Sequence, residues 1–196
     1  MFRSYKTEAI ILKRRNFGEA DRILTIFTKY NGKITVKAPG VRRITSRRSS
    51  HIELLNLSIF TLYKSSKTFF HIVTEAQTLE DFSPIKDNLE KIGYAYYICE
   101  LINGLCPENQ ENRSVFFLLK NVLGKLAAEE DSCKLISYFE KDLLRILGFW
   151  QEAAMLETPV SAKASAGRQD SQTVMERLLE RKLKTIRVIP LFAELH

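Results

Sequence analysis

Catalytic signatures are what this sequence lacks. It has no GxxxxGK[ST] phosphate loop, no GxGxxG, no HExxH and no GxSxG, which removes the sequence grounds for a P-loop nucleotidase, a dinucleotide enzyme, a zinc protease or a serine hydrolase. Histidine is scarce: His51, His71 and His196 are the three, and none sits near a cysteine or carboxylate in a base or ligand pattern. Cysteine is as scarce: Cys99, Cys106 and Cys133 form no CxxC, so neither a disulfide framework nor a zinc site is expected. All three fall in apolar, helix-like stretches and are expected as reduced core thiols, which fits a cytosolic protein. Long apolar runs are missing too. Ala9–Leu12 is too short for a signal peptide, and nothing approaches the roughly 20 residues of a membrane helix. A cytoplasmic protein with no metal or other cofactor is the expectation. Glu19 and Asp21 are a lone acidic pair, where a metal-dependent nuclease needs several convergent carboxylates; they are expected to pair with Arg22 or Arg14.

Acidic residues are absent from one further place, Lys33–Ser50 (KITVKAPGVRRITSRRSS), which carries Lys33, Lys37, Arg42, Arg43, Arg47 and Arg48. Six cations without a built-in counter-ion favour a polyanionic partner. The bias is regional. Residues 1–80 hold 15 Lys+Arg and 6 Asp+Glu, against 15 and 17 in residues 81–196. A basic binding module followed by a near-neutral one fits that split.

The hydrophobic pattern divides at the same place. Thr7–Arg15, Arg22–Tyr30, Lys33–Ala38, Leu54–Lys64 and Thr68–Ala76 read as strands, rich in β-branched and aromatic residues. Asn31-Gly32 reads as a two-residue hairpin turn. That turn sets Tyr30 opposite Lys33, Thr28 opposite Thr35 and Ile26 opposite Lys37, which places Lys33 and Lys37 on one face with Tyr30, Leu24 and Ile26. Pro39-Gly40 ends the strand, so Arg42–Arg48 is read as a mobile, exposed arm. Five short strands in about 75 residues, with little helix between them, suggest a small closed or nearly closed barrel, an OB-fold or an SH3-like one.

From Phe82 onward apolar residues recur at three and four. Helices are expected at about Asn88–Cys106 (burying Leu89, Ile92, Tyr96, Cys99 and Ile102), Ser114–Ala128, Ser132–Leu147 with Ser132 as N-cap, and from near Ser171. A polar loop is expected at about 158–170. The expected domains are 1–80 and 81–196.

What these residues support is binding, with Arg14, Lys33, Lys37, Arg42, Arg43, Arg47, Arg48 and Tyr30 as candidate nucleic-acid contacts. Phe17 and Tyr63 are further stacking candidates. Single-stranded RNA and an acidic protein are the competing ligands.

The run from Thr7 to Arg47 resembles the N-terminal domain of the RecO family of bacterial DNA-repair and recombination mediators. The residues that carry the likeness are Glu19-Ala20-Asp21-Arg22, the hairpin Thr28–Gly32, Gly40-Val41-Arg42-Arg43 and Ser46-Arg47. Gly148-Phe149 resembles the end of that family's helical core, and Leu178–Ile189 its last helix. The resemblance implies an N-terminal five-stranded OB-fold barrel and a C-terminal α-helical domain, thus an α+β chain. It implies a non-enzymatic mediator that binds single- and double-stranded DNA and anneals complementary strands. With a RecR-type partner, such proteins help load recombinase onto strands coated by single-stranded-DNA-binding protein (SSB), contacting the SSB C-terminal tail. One groove for that tail is sought on the 174–187 helix. Many members also carry a four-cysteine zinc site after the helical core. Residues 149–196 contain no cysteine, so the zinc does not carry over.

Overall fold

The computed structural model describes residues 4–64, 70–128, 131–149 and 166–185. Contacts group the chain into two units, Met1–Phe82 with Cys106–Phe116, and Ser83–Leu105 with Phe117–His196.

The first unit is a closed five-stranded barrel. Its strands are β1 (Ser4–Phe17), β2 (Asp21–Thr28), β3 (Gly32–Ala38), β4 (Leu57–Lys64) and β5 (His71–Glu80). They close in the order β1-β2-β3-β5-β4, with β3 and β5 parallel and the other pairs antiparallel. That order is the OB-fold arrangement. Closure removes the sheet edges that five short strands would otherwise expose. At 14 residues β1 is long enough to serve two neighbours, β4 through its first half and β2 through its second. Ala9, Ile11, Leu24, Ile26, Ile34, Val36, Phe60, Leu62 and Val73 fill the interior.

The β2–β3 register differs from the sequence expectation. Thr28 pairs with Gly32, Ile26 with Ile34, Thr25 with Thr35, Phe27 with Lys33 and Ile23 with Lys37. The turn is longer than Asn-Gly alone. Thr28 Oγ1 donates to the Gly32 carbonyl and accepts from the Asn31 amide, both at 2.9 Å, and Gly32 takes φ +62°. Side chain alternation does put Lys33, Thr35 and Lys37 on one outward face. Their neighbours there are Phe27, Thr25 and Ile23, while Leu24 and Ile26 point into the barrel and Tyr30 lies in the turn.

In the second unit, α1 (Ser83–Lys86), α2 (Leu89–Leu105), α4 (Ser132–Leu147) and α5 (Ala166–Leu178) accompany α3 (Arg113–Ala128), whose first turn belongs to the barrel unit. α2 buries Tyr94, Tyr97, Ile98, Leu101 and Ile102, whereas Leu89 and Tyr96, expected inside, are exposed. Apolar residues occupy nearly every face of α2, so the period alone does not fix its buried side. The α4 N-cap is Asp131, which accepts from the Lys134 amide, and Ser132 is the first helical residue; Gly148 closes the helix at φ +84°. Cys99 and Cys106 are buried, but Cys133 is exposed. α5 is already helical over residues 166–171, ahead of the expected start near Ser171, and it ends at Leu178, so residues 179–185 do not continue it. Glu100 accepts the Lys184 and Thr185 amides and pairs with Arg181 at 3.3 Å, which fastens part of the stretch read as a basic helix. The rest of that stretch, and most of the expected 158–170 loop, lie outside the described residues.

Gly32 lies directly against the backbone of the Cys106–Phe116 segment. A Cβ there would lie 1.7 Å from the Gln110 carbonyl oxygen, and the Asn109 amide donates to the Lys33 carbonyl at 2.8 Å. Gly32→Ala is expected to cost about 2–4 kcal/mol in denaturant unfolding, with faster hydrogen exchange at Asn109. A change within about 0.5 kcal/mol would contradict this packing.

Candidate nucleic-acid interface

A β-bulge builds this surface. Ile11 pairs with Ile26, but the next paired residue is Lys13, opposite Thr25, so the register slips by one at Leu12. A bulge re-aims every side chain beyond it. Strict alternation from Ala9 and Ile11 would send Lys13 and Arg15 inward. The slip turns them outward and sends Arg14 to the side of Leu24. The outward side of β1-β2-β3 then carries three rows. Lys13, Thr25 and Thr35 form one, Arg15, Ile23 and Lys37 the next, and Phe17 beside Asp21 the last. Lys13, Arg15, Ile23, Thr25 and Thr35 line a groove of about 150 Å³, with buried Ile23 as an apolar element of its wall.

Beyond β3 the basic loop leaves along the same side. Asp21 sets its path. One carboxylate oxygen accepts the Gly40 amide at 2.8 Å and the other meets the Lys37 ammonium at 2.9 Å. The Lys37 hydrogen bond, then the Gly40 amide, hold the Asp21 carboxyl below the usual carboxylate range against a smaller opposing effect of burial, with further help from the Lys37 and Arg43 charges. Arg42 donates from its backbone amide to Ala20 (2.9 Å) and from its guanidinium to Gly18 (3.0 Å), which joins the loop to the β1–β2 turn. Arg48 is not part of a free arm. Its guanidinium donates to the carbonyls of Val73 (2.7 Å), Thr74 (3.2 Å) and Pro39 (2.8 Å). Three carbonyls around one planar fork fix the far end of the loop.

The structure thus sorts the candidate cations. Arg42, Arg43 and Arg47 are exposed. Lys37 pairs with Asp21, and its ammonium lies 5.0 Å from the Phe17 ring centroid. Arg14 and Arg22 both pair with Glu53, so neither pairs with Glu19 or Asp21 as the sequence suggested. Lys33 is only 7% exposed. Burial pushes its ammonium below the ordinary lysine range, opposed by nearby Cys106 and Glu108. Burial likewise pushes the Cys106 thiol up to about 11. Tyr30 stands at the hairpin tip, exposed, with Lys29 at 5.4 Å and Arg113 at 4.7 Å from its ring centroid. Tyr63 is exposed at the Ser4 end of β1, away from Phe17.

Lys13 and Arg15 are the residues that sequence reasoning passed over in favour of Arg14. Both are exposed and outward. Among the described residues none of Lys13, Arg15, Arg42, Arg43 and Arg47 forms an ion pair. Nor do the described residues contain a group of three or more His, Cys, Asp or Glu able to hold a metal.

An OB-fold barrel followed by a helical unit defines the class of module. The family models described as Recombination protein O N terminal and Recombination protein O C terminal match residues 1–82 and 86–151. The chain is 37% identical over 145 residues to the DNA repair protein RecO of Pelotomaculum thermopropionicum, covering 74% of this chain and 56% of that protein. With the same-named protein of Roseiflexus sp. the identity is 39% over 147 residues, covering 75% and 51%. With that of Desulforamulus reducens it is 30% over 196 residues, covering 94% and 75%. The chain belongs to the RecO family. It spans little more than half the length of the first two of these curated relatives. Among the described residues no helix is long and apolar enough to cross a membrane.

The Asp21 contacts predict a pH dependence. A carboxyl whose folded pKa is depressed contributes stability that is present above its unfolded pKa and lost as pH falls through the folded one. The melting temperature of the native chain should exceed that of Asp21→Asn by a few degrees at neutral pH. The gap should close as pH falls through and below the ordinary aspartate range. A gap constant across that range would contradict the linkage.

Proposed function

We propose that this chain is a non-enzymatic DNA-binding mediator of DNA repair and recombination. Its barrel holds DNA through the outward side of β1-β2-β3 and the adjoining arginine loop. One observation carries the reading: five cations, Lys13 and Arg15 on that side and Arg42, Arg43 and Arg47 in the loop that follows β3, are exposed without an ion pair among the described residues. Uncompensated cations on a folded surface repel one another, and a polyanion relieves the repulsion while releasing its condensed counter-ions. Loop and rows present backbone-directed charge with no base-reading helix, so little sequence preference is expected.

The names of the relatives, DNA repair protein RecO, support the repair role. Annealing of complementary strands follows from the same surface, because screening two phosphate backbones lowers the cost of bringing them together. Cooperation with a RecR-type partner and contact with the SSB C-terminal tail complete the proposed role, as does loading of recombinase onto SSB-coated strands. The proposed division of labour is a DNA-binding domain at 1–80 and a helical domain at 81–196, acting in the cytoplasm beside the nucleoid.

Titration of a labelled single strand at several salt concentrations tests the reading. Five phosphate contacts at about 0.7 each give a slope of log K against log salt near −3.5. Arg42→Ala, Arg43→Ala and Arg47→Ala combined should bring it to about −1.4. An unchanged slope in that variant would contradict the reading.

A further inference from the structure

We propose that Phe17 is a nucleobase-stacking residue and that it makes this face prefer unpaired strands over duplex. The proposal rests on the DNA-binding reading and assigns to one side chain a selectivity that the cations cannot supply. Ammonium and guanidinium groups contact phosphates, which single strands and duplexes both carry. Only an unpaired base offers an open π-face, because in a duplex each base already stacks on its neighbours.

Phe17 is placed for that task. It is the last residue of β1 and points to the same side as Lys13 and Arg15, since the bulge at Leu12 lies before all three. Successive outward residues on one strand are about 6.8 Å apart, so Lys13, Arg15 and Phe17 form a straight row of two cations and one ring. Phe17 is 46% exposed, so its ring is open to a ligand. The Lys37 ammonium lies 5.0 Å from its ring centroid and is itself held by Asp21 at 2.9 Å. The neighbouring turn is anchored by the Arg42 guanidinium on the Gly18 carbonyl. A strand running along the row would lay phosphates on Lys13 and Arg15 and a base on Phe17.

The test uses the full chain and three labelled probes of equal length: oligothymidylate, the same sugar-phosphate backbone without bases, and a blunt duplex. Binding is read by fluorescence anisotropy at several salt concentrations for the native chain, Phe17→Ala and Phe17→Trp, each checked by thermal melting. Phe17→Ala is expected to weaken oligothymidylate binding about 5- to 100-fold while changing the baseless strand and the duplex by less than about 2-fold. Phe17→Trp is expected to restore the native affinity. Equal loss on all three probes, or no loss on oligothymidylate, would overturn the stacking role. If the native chain binds all three with a steep salt dependence and Phe17→Ala matches it, only the stacking role fails. If the native chain binds none of them, the DNA-binding reading fails and this proposal with it.

Discussion

The one-residue slip at Leu12 is the constraint on which the surface depends. A strand whose first half packs a barrel must alternate in step with its neighbours, and Ala9 and Ile11 do so against Thr28 and Ile26. Had the step continued, Lys13 and Arg15 would have entered an apolar interior, at a cost no partner there offsets. The bulge resolves the conflict by turning the cations out. The residue turned inward, Arg14, meets Glu53, which also takes Arg22. One inserted residue therefore settles which of three consecutive cations is structural and which two are open to solvent.

A second constraint acts at the other end of the surface. Asp21 holds both the Gly40 amide and Lys37, so the chain leaves β3 beside the β1–β2 turn. Arg48 spends its guanidinium on three backbone carbonyls, which closes the loop. Between those anchors Arg42, Arg43 and Arg47 are held outward. The loop is built less as a tether than as a bracket. The Cys106–Phe116 segment covers the hairpin end of the same barrel, where Asn109 bonds to Lys33 and Gly32 admits the Gln110 backbone. Lys33 is buried as a result.

Much of the fold was legible in the residues. β-branched and aromatic runs marked all five strands, the change of period at Phe82 marked the helices, and Gly148 marked a helix end. The closed order β1-β2-β3-β5-β4 agrees with the OB-fold that the family resemblance implied. The β2–β3 register was not legible, because Thr28 bonds into the turn and lengthens it beyond what Asn31-Gly32 suggests. The roles within Lys13-Arg14-Arg15 were not legible either, since a bulge leaves no compositional mark on an apolar residue such as Leu12. Arg48 and Arg47 are identical in type and adjacent in sequence; only the fold reveals that carbonyls surround one of them. The separation of bound from unbound cations is a tertiary property, and it carries the functional reading.

Chemical-shift mapping with a short single strand tests that reading most directly. Residues 13–17, 23–25, 35–37 and 40–47 should shift together, with little change on β4, β5 or α4. Perturbations centred on the helices, or on β4 and β5, with none on the Lys13–Arg15–Phe17 row, would contradict the account.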